Sequence, residues 1–148
     1  MTDFYPREEG AVFDSGSYII PCYPDGAISE MSSVKMGTTV AGRISVAVSA
    51  AIGDGVGIAL RESTGAGAPK SIPVLFYGIA KVTFTPVVAA GEYAMNLAAP
   101  TTFTAGGDNT STLATLVLGG GASYVMGLVI QATGGAADEA LLLVGKTW

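Results

Sequence analysis

The run IPVLFYGIAKVTFTPVVAAGEYAMNL, residues 72–97, decides the fold class. Ile72, Val74, Phe76, Ala80, Val82 and Phe84 all fall on even positions, interrupted only by Gly78. The odd set changes character partway: Leu75, Tyr77 and Ile79 are apolar, whereas Lys81, Thr83 and Thr85 are polar. Side chains alternate faces along a strand, so the pattern predicts one long strand over residues 72–84. Its first half should be buried on both faces and its second half on one. Pro86 has no N–H to give a ladder and ends the strand. Gly91-Glu92 then supplies a turn, and residues 93–97 leave as a shorter strand.

Upstream, Val40, Gly42, Ile44, Val46 and Val48 alternate with Ala41, Arg43, Ser45, Ala47 and Ser49, the signature of a half-buried strand. Gly53-Asp54-Gly55 turns the chain into a short return strand at residues 56–60. Two polar, glycine-bearing loops follow, RESTGAGAPK at 61–70 and AAPTTFTAGGDNTST at 98–112, the second with a brief extended piece at its start. Residues 113–118, 124–132 and 140–144 read as closing strands, with Gly134-Gly135 in the last turn. A chain punctuated in this way is all-β, a small β-sandwich or β-barrel of about seven to nine short strands. SAAIGDGVGIAL at 49–60 echoes VVAAGEYAMNL at 87–97, each a run of small apolar residues entering a Gly-acid turn before a strand. We read the echo as recurring turn chemistry rather than as a repeat.

Composition bounds the function. The 148 residues are 49% hydrophobic and only 13% charged, which fits one domain with a real core. A net charge of −5, with the seven basic residues scattered, argues against nucleic-acid binding. So few charges on so apolar a chain point to surface covered by a partner, hence to an oligomer. Cys22 is the single cysteine, so no disulfide can form within the chain, which suits folding in a reducing cytoplasm. MTDFYPREEG at the start carries acids and no apolar core of a secretory signal. Residues 109–137 are uncharged, but Gly119-Gly120-Gly121 divides them into two strand-length pieces rather than a membrane helix.

Residues 1–30 differ from the domain proper at 31–148. They hold Pro6, Pro21 and Pro24, five of the aromatics, and six of the twelve acids. Apart from a short strand near residues 17–20 no period is visible. The segment is either an irregular leader packed on its own domain or an extended N-terminal arm lying on a neighbouring subunit. In the second case Phe4, Tyr5, Arg7, Phe13 and Tyr18 are the contact residues.

The chain has no histidine, which excludes Ser-His-Asp and Cys-His catalysis and histidine metal sites. Asp138-Glu139 is an adjacent pair whose side chains leave a strand on opposite faces, unsuited to two-carboxylate chemistry. GAGAPKS at 65–71 departs from a phosphate loop, because Pro69 removes an amide donor and a strand follows. Gly53, Gly55 and Gly57 open no helix, so no dinucleotide site is expected. Asn109-Thr110-Ser111 matches a glycosylation acceptor but reads as loop. No enzyme, cofactor or metal is expected.

IPVLFYGIAKV at 72–82, VVAAGEYAMN at 87–96 and YVMGLVIQATGGAADEALLLVG at 124–145 resemble the tailed-phage capsid decoration (cement) and head structural proteins. The shared pattern is a strand ending in Gly-x-Ala-x-Val, a Gly-acid turn, and later an acid-containing turn before a final apolar strand. The resemblance covers residues 37–145. Leu128 stands where a basic residue is common in that family, and the 98–112 loop is enlarged. The resemblance implies a non-enzymatic homotrimer that binds the major capsid protein on the outside of a phage capsid and stabilises the shell, with no nucleic acid or membrane as partner. The alternatives are a head-fibre or carbohydrate-recognition β-module, or another virion part from tail or baseplate.

Overall fold

A computed structural model of the chain describes residues 17–38, 42–85, 87–106, 125–135 and 138–145. The fold is all-β. In chain order the described strands are β1 (Tyr18–Pro24), β2 (Ala27–Ile28), β3 (Ser33–Met36), β4 (Ser45–Val48), β5 (Gly57–Ala59), β6 (Ser63–Thr64), β7 (Ile72–Phe84), β8 (Tyr93–Asn96), β9 (Thr102–Gly106), β10 (Gly127–Val129) and β11 (Glu139–Val144). Nine of them form one sheet, and β2 pairs with β6 beside it.

The 13-residue β7 has the limits its alternation predicts, and both halves of the sheet are built on it. The pairings close two five-membered rings. One runs β1, β4, β3, β5 and back to β7; the other runs β11, β10, β8, β9 and back to β7. Each ring has a single short parallel contact, β1 with β4 and β7 with β9, while its other pairings are antiparallel. Closure leaves few free edges, which is how small β-domains avoid presenting a template to other strands.

Each ring has its own core. Cys22, Val34, Val46, Ala59, Ile72 and Val74, one or two from every strand of the first ring, pack together with Ile28. In the second ring Ala80, Val82 and Phe84 of β7 meet Ala94, Phe103, Val129, Ala140, Leu142 and Val144. Phe84 and Phe103 pack as a tilted pair with centroids 6.2 Å apart. The even positions of β7 are therefore buried along its length, Phe76 only partly, but in two different cores. The change of core comes with a change of phase. Odd-numbered Leu75 already belongs to the second core, with Ile58 of β5 beside it. Between Leu75 and Ala80 lies Gly78, at φ +141°, where an added Cβ would come within 2.9 Å of Ser17 Oγ. The ladder to β1 is irregular at the same place, with Tyr18 opposite Tyr77 but Ile19 opposite Leu75. A bulge of this kind re-aims every side chain beyond it.

A polar junction ties the rings together. Asn96, fully buried at the end of β8, accepts the Gly55 N–H through Oδ1 at 2.8 Å. Its Nδ2 donates to Ala51 O at 2.8 Å, to Leu97 O at 3.0 Å and to Asp54 Oδ1 at 3.3 Å. The Ser33 N–H donates to Pro100 O at 2.8 Å across the same junction. A buried amide with all its groups engaged fixes register as well as adding stability.

Several local expectations need correction. Of the strand expected over residues 40–48, the described part holds β4 alone, which forms an antiparallel pair with β3 that the alternation did not reveal. Ser45, on the face expected to be exposed, is buried because its hydroxyl donates to Asp25 Oδ1. The loop at 61–70 contains β6, and the extended piece expected at the start of 98–112 is β9. The strand expected at 113–118 lies outside the described residues, as does most of the uncharged 109–137 span. Among the described residues no helix is long and apolar enough to cross a membrane.

Candidate contact surface

Of the contact residues expected on the N-terminal arm, Phe4, Tyr5, Arg7 and Phe13 lie outside the described residues, and Tyr18 is described. Tyr18 opens β1 with 66% of its surface exposed, its ring set edge-on to Tyr77 with centroids 6.5 Å apart. Ile19 beside it is 51% exposed. The arm expected over residues 1–30 does not extend through its described part. Residues 18–24 form β1, five of them registered against β7, and Cys22 and Ile28 are core residues. Beyond the short strand expected near residues 17–20, the prolines mark this stretch as irregular. Here Pro21 lies opposite Pro73, and the Pro73 carbonyl accepts from the Leu60 N–H at 2.9 Å, on the β5 side. At a pair that exchanges no hydrogen bonds, two prolines cost the ladder nothing.

Beyond Ile19 the outward residues of β1 form one wall of an open groove of about 570 Å³. Pro21 and Tyr23 line one side, Arg43 and Ile44 the other, with Lys70 and Ser71 at the end. The Arg43 guanidinium sits over the Tyr23 ring, 5.7 Å from its centroid, and Nη1 donates to Lys70 O at 3.4 Å. Ile44 is 45% exposed. Among the described residues the ion pairs are Lys35 with Asp54 and Lys81 with Glu139, so neither Arg43 nor Lys70 has a carboxylate partner. Two cations without carboxylate partners among the described residues, an aromatic face and exposed aliphatic carbon make this groove the candidate contact surface. Cys22 lies close in sequence but faces the core, its thiol pushed up in pKa by burial. Among the described residues no group of three or more Cys, Asp or Glu could hold a metal ion.

No protein-family model matches the chain, and no curated protein matches it. A solved structure does. The chain is similar to the N base of head fiber gp8.5 of bacteriophage phi29, with a TM-score of 0.53 at 11% identity. The match covers 86% of this chain and 93% of that one. At that identity the likeness is one of fold, and it takes in nearly the whole of both chains.

Little in the residue pattern points to the groove. Arg43 and Ile44 were assigned to opposite faces of one strand, Lys70 to a polar loop and Tyr23 to the arm. Only the ring closure between β1 and β4 brings them together.

Proposed function

We propose that the chain is a non-enzymatic structural protein of a phage virion, a β-domain of head-fibre-base or decoration type. In this reading it binds the outer surface of the capsid as a homotrimer, through the major capsid protein, and stabilises the shell. The observation that carries the reading is the fold shared, nearly end to end, with the base of a phage head fiber. The histidine-free sequence and the exposed apolar residues along β1 are in keeping with an assembly part. A ligand that binds the assembled shell and not its free subunits stabilises the shell by mass action. Three linked copies add avidity, because the second and third contacts are intramolecular.

The test is co-sedimentation of the purified chain with capsids of the phage that encodes it, prepared without this protein, with light scattering on the free chain. Saturable binding at a fixed ratio per capsomer, a trimer mass and a raised capsid melting temperature are expected. A chain that stays in the supernatant at micromolar concentration sinks the reading.

A further inference from the structure

The groove beside β1 has a strand edge as well as a charge. The Tyr23 N–H donates to Ile44 O at 2.7 Å and the Asp25 N–H to Val46 O at 2.8 Å, so odd-numbered residues of β1 turn their backbone groups toward β4. Backbone groups alternate sides along a strand, which sends the N–H and C=O of Ile19 and the C=O of Pro21 to that same edge. Among the described residues β4 meets β1 only at Tyr23 and Pro24, and no strand lies against Ile19 or Pro21 at that edge. An extended segment can therefore add along Ile19–Pro21 while its side chains meet Arg43, Lys70 and Ile44.

We infer that this groove receives residues 1–16 of a second copy of the chain. The inference rests on the oligomeric part of the reading above. Charge names the occupant: residues 1–16 carry Asp3, Glu8, Glu9 and Asp14 against Arg7, with Phe4, Tyr5 and Phe13 between them. Acids answer the two cations without carboxylate partners, and the aromatics answer the exposed aliphatic wall. Direction names the copy. Ser17, where residues 1–16 join the domain, lies against Gly78 at the middle of β7. From there β1 runs from Tyr18, opposite Tyr77, to Cys22, opposite Ile72, and the groove lies at that far end beside Lys70 and Ser71. To reach its own groove a copy's segment would have to run back along β1 from Ser17, whereas a second copy's segment carries no such constraint.

The test mixes two full-length preparations, both Cys22→Ala. One carries Ser71→Cys and a size tag, the other Phe13→Cys, and each stays folded by circular dichroism. Oxidation should join tagged to untagged chains in a disulfide read on a denaturing gel. In a background of Arg43→Glu with Lys70→Glu the yield should fall about five- to thirtyfold, as expected for two lost charge pairs. Reversing the acids of residues 1–16 to lysine in the partner should restore it. A third preparation carries Ser71→Cys and Phe13→Cys on one chain; a disulfide that closes within that chain while the mixed pair forms none overturns the inference, as does no disulfide at all in a folded oligomer. Capsid binding of the same samples separates the two ideas. Cross-linking without capsid binding supports this inference and removes only the virion reading. Capsid binding without cross-linking removes only this inference.

Discussion

Asp54 and Glu92 hold the same place in two turns, one in each ring. In both, the acid's own N–H donates to the carbonyl three residues back, Ala51 O and Ala89 O, at 3.4 Å. In both, the carboxylate returns to a backbone N–H of that turn, Ala51 at 3.3 Å for Asp54 Oδ2 and Ala89 at 2.8 Å for Glu92 Oε2. The glycine before each acid, Gly53 at φ +73° and Gly91 at φ +90°, takes the left-handed conformation the turn requires. The sequence echo between residues 49–60 and 87–97 is thus shared turn chemistry leading into β5 and β8.

The two acids differ in what else they hold, and this gives a first prediction. Asp54 also meets Lys35 at 3.6 Å and Asn96 Nδ2 at 3.3 Å. Asp54→Ala should lower unfolding free energy by about 1–2 kcal/mol, and Glu92→Ala by about 1 kcal/mol or less. Urea unfolding of the two variants ranks them. Equal losses would show that the contacts to Lys35 and Asn96 add nothing.

Asn96→Ala should be more severe. It leaves the buried Gly55 N–H without its acceptor and removes the donor to Ala51 O. Ala51 O keeps the Asp54 N–H, so one stranded buried group at about 1–3 kcal/mol and one lost hydrogen bond at about 1 kcal/mol predict a loss of roughly 2–4 kcal/mol. The denaturant midpoint is the readout, and Asn96→Asp, which keeps the acceptor, should recover part of it.

Glycines separate into needed and incidental. A Cβ at Gly127 would lie 2.0 Å from Leu143 O, and one at Gly145 2.3 Å from Phe76 O. Backbone atoms cannot yield as a side-chain tip can, so Gly127→Ala and Gly145→Ala should each cost about 3 kcal/mol or more. Gly26 has nothing within 4 Å and no positive φ. Gly26→Ala should be neutral or slightly stabilising. Thermal melts of the three variants decide it.

Much of this architecture is legible in the sequence, and the reasons for the rest are physical. Strand β7 could be read to its ends because its alternation spans thirteen residues and stops at a proline. Strand β3 could not, since a four-residue strand whose Ser33 and Val34 are both buried shows no alternation. The first half of β1 matches the short strand expected near residues 17–20, and its second half was hidden because Pro21 holds a position where the ladder needs no N–H. The division of β7 between two cores has one written trace, Gly78, and a glycine in a strand does not say which way the chain turns. For the groove there was still less to read, because its cations are 27 residues apart and meet only through ring closure.

Cys22 carries a pH prediction. Burial raises its thiol pKa, so the folded chain keeps a proton that the unfolded chain releases at alkaline pH. Stability should then be flat below the ordinary thiol pKa and fall as pH rises above it. Cys22→Ala should remove that part of the decline, measured by urea unfolding across the alkaline range. Reaction with a thiol reagent should require unfolding at every pH.

The surface pair Lys81 and Glu139, 3.4 Å apart and each about 60% exposed, should matter little. Lys81→Ala is expected within about 0.5 kcal/mol of the parent. A larger loss would point to the lysine stem packing on β11.

β1 begins opposite Tyr77 and β11 ends opposite Gly78, so the first and last described strands abut at the centre of β7. The backbone of this domain is therefore a nearly closed loop. Residues 17 and 145 could be spliced by a short linker and the chain reopened at a turn such as Ala51–Asp54 without redirecting a strand. The same closeness decides how the domain gives way when pulled by its two ends. Tension would start at the waist and peel β1 and β11 from β7 one pair at a time, in opposite directions. Each pair resists alone, so the domain should yield at low force despite its two closed rings.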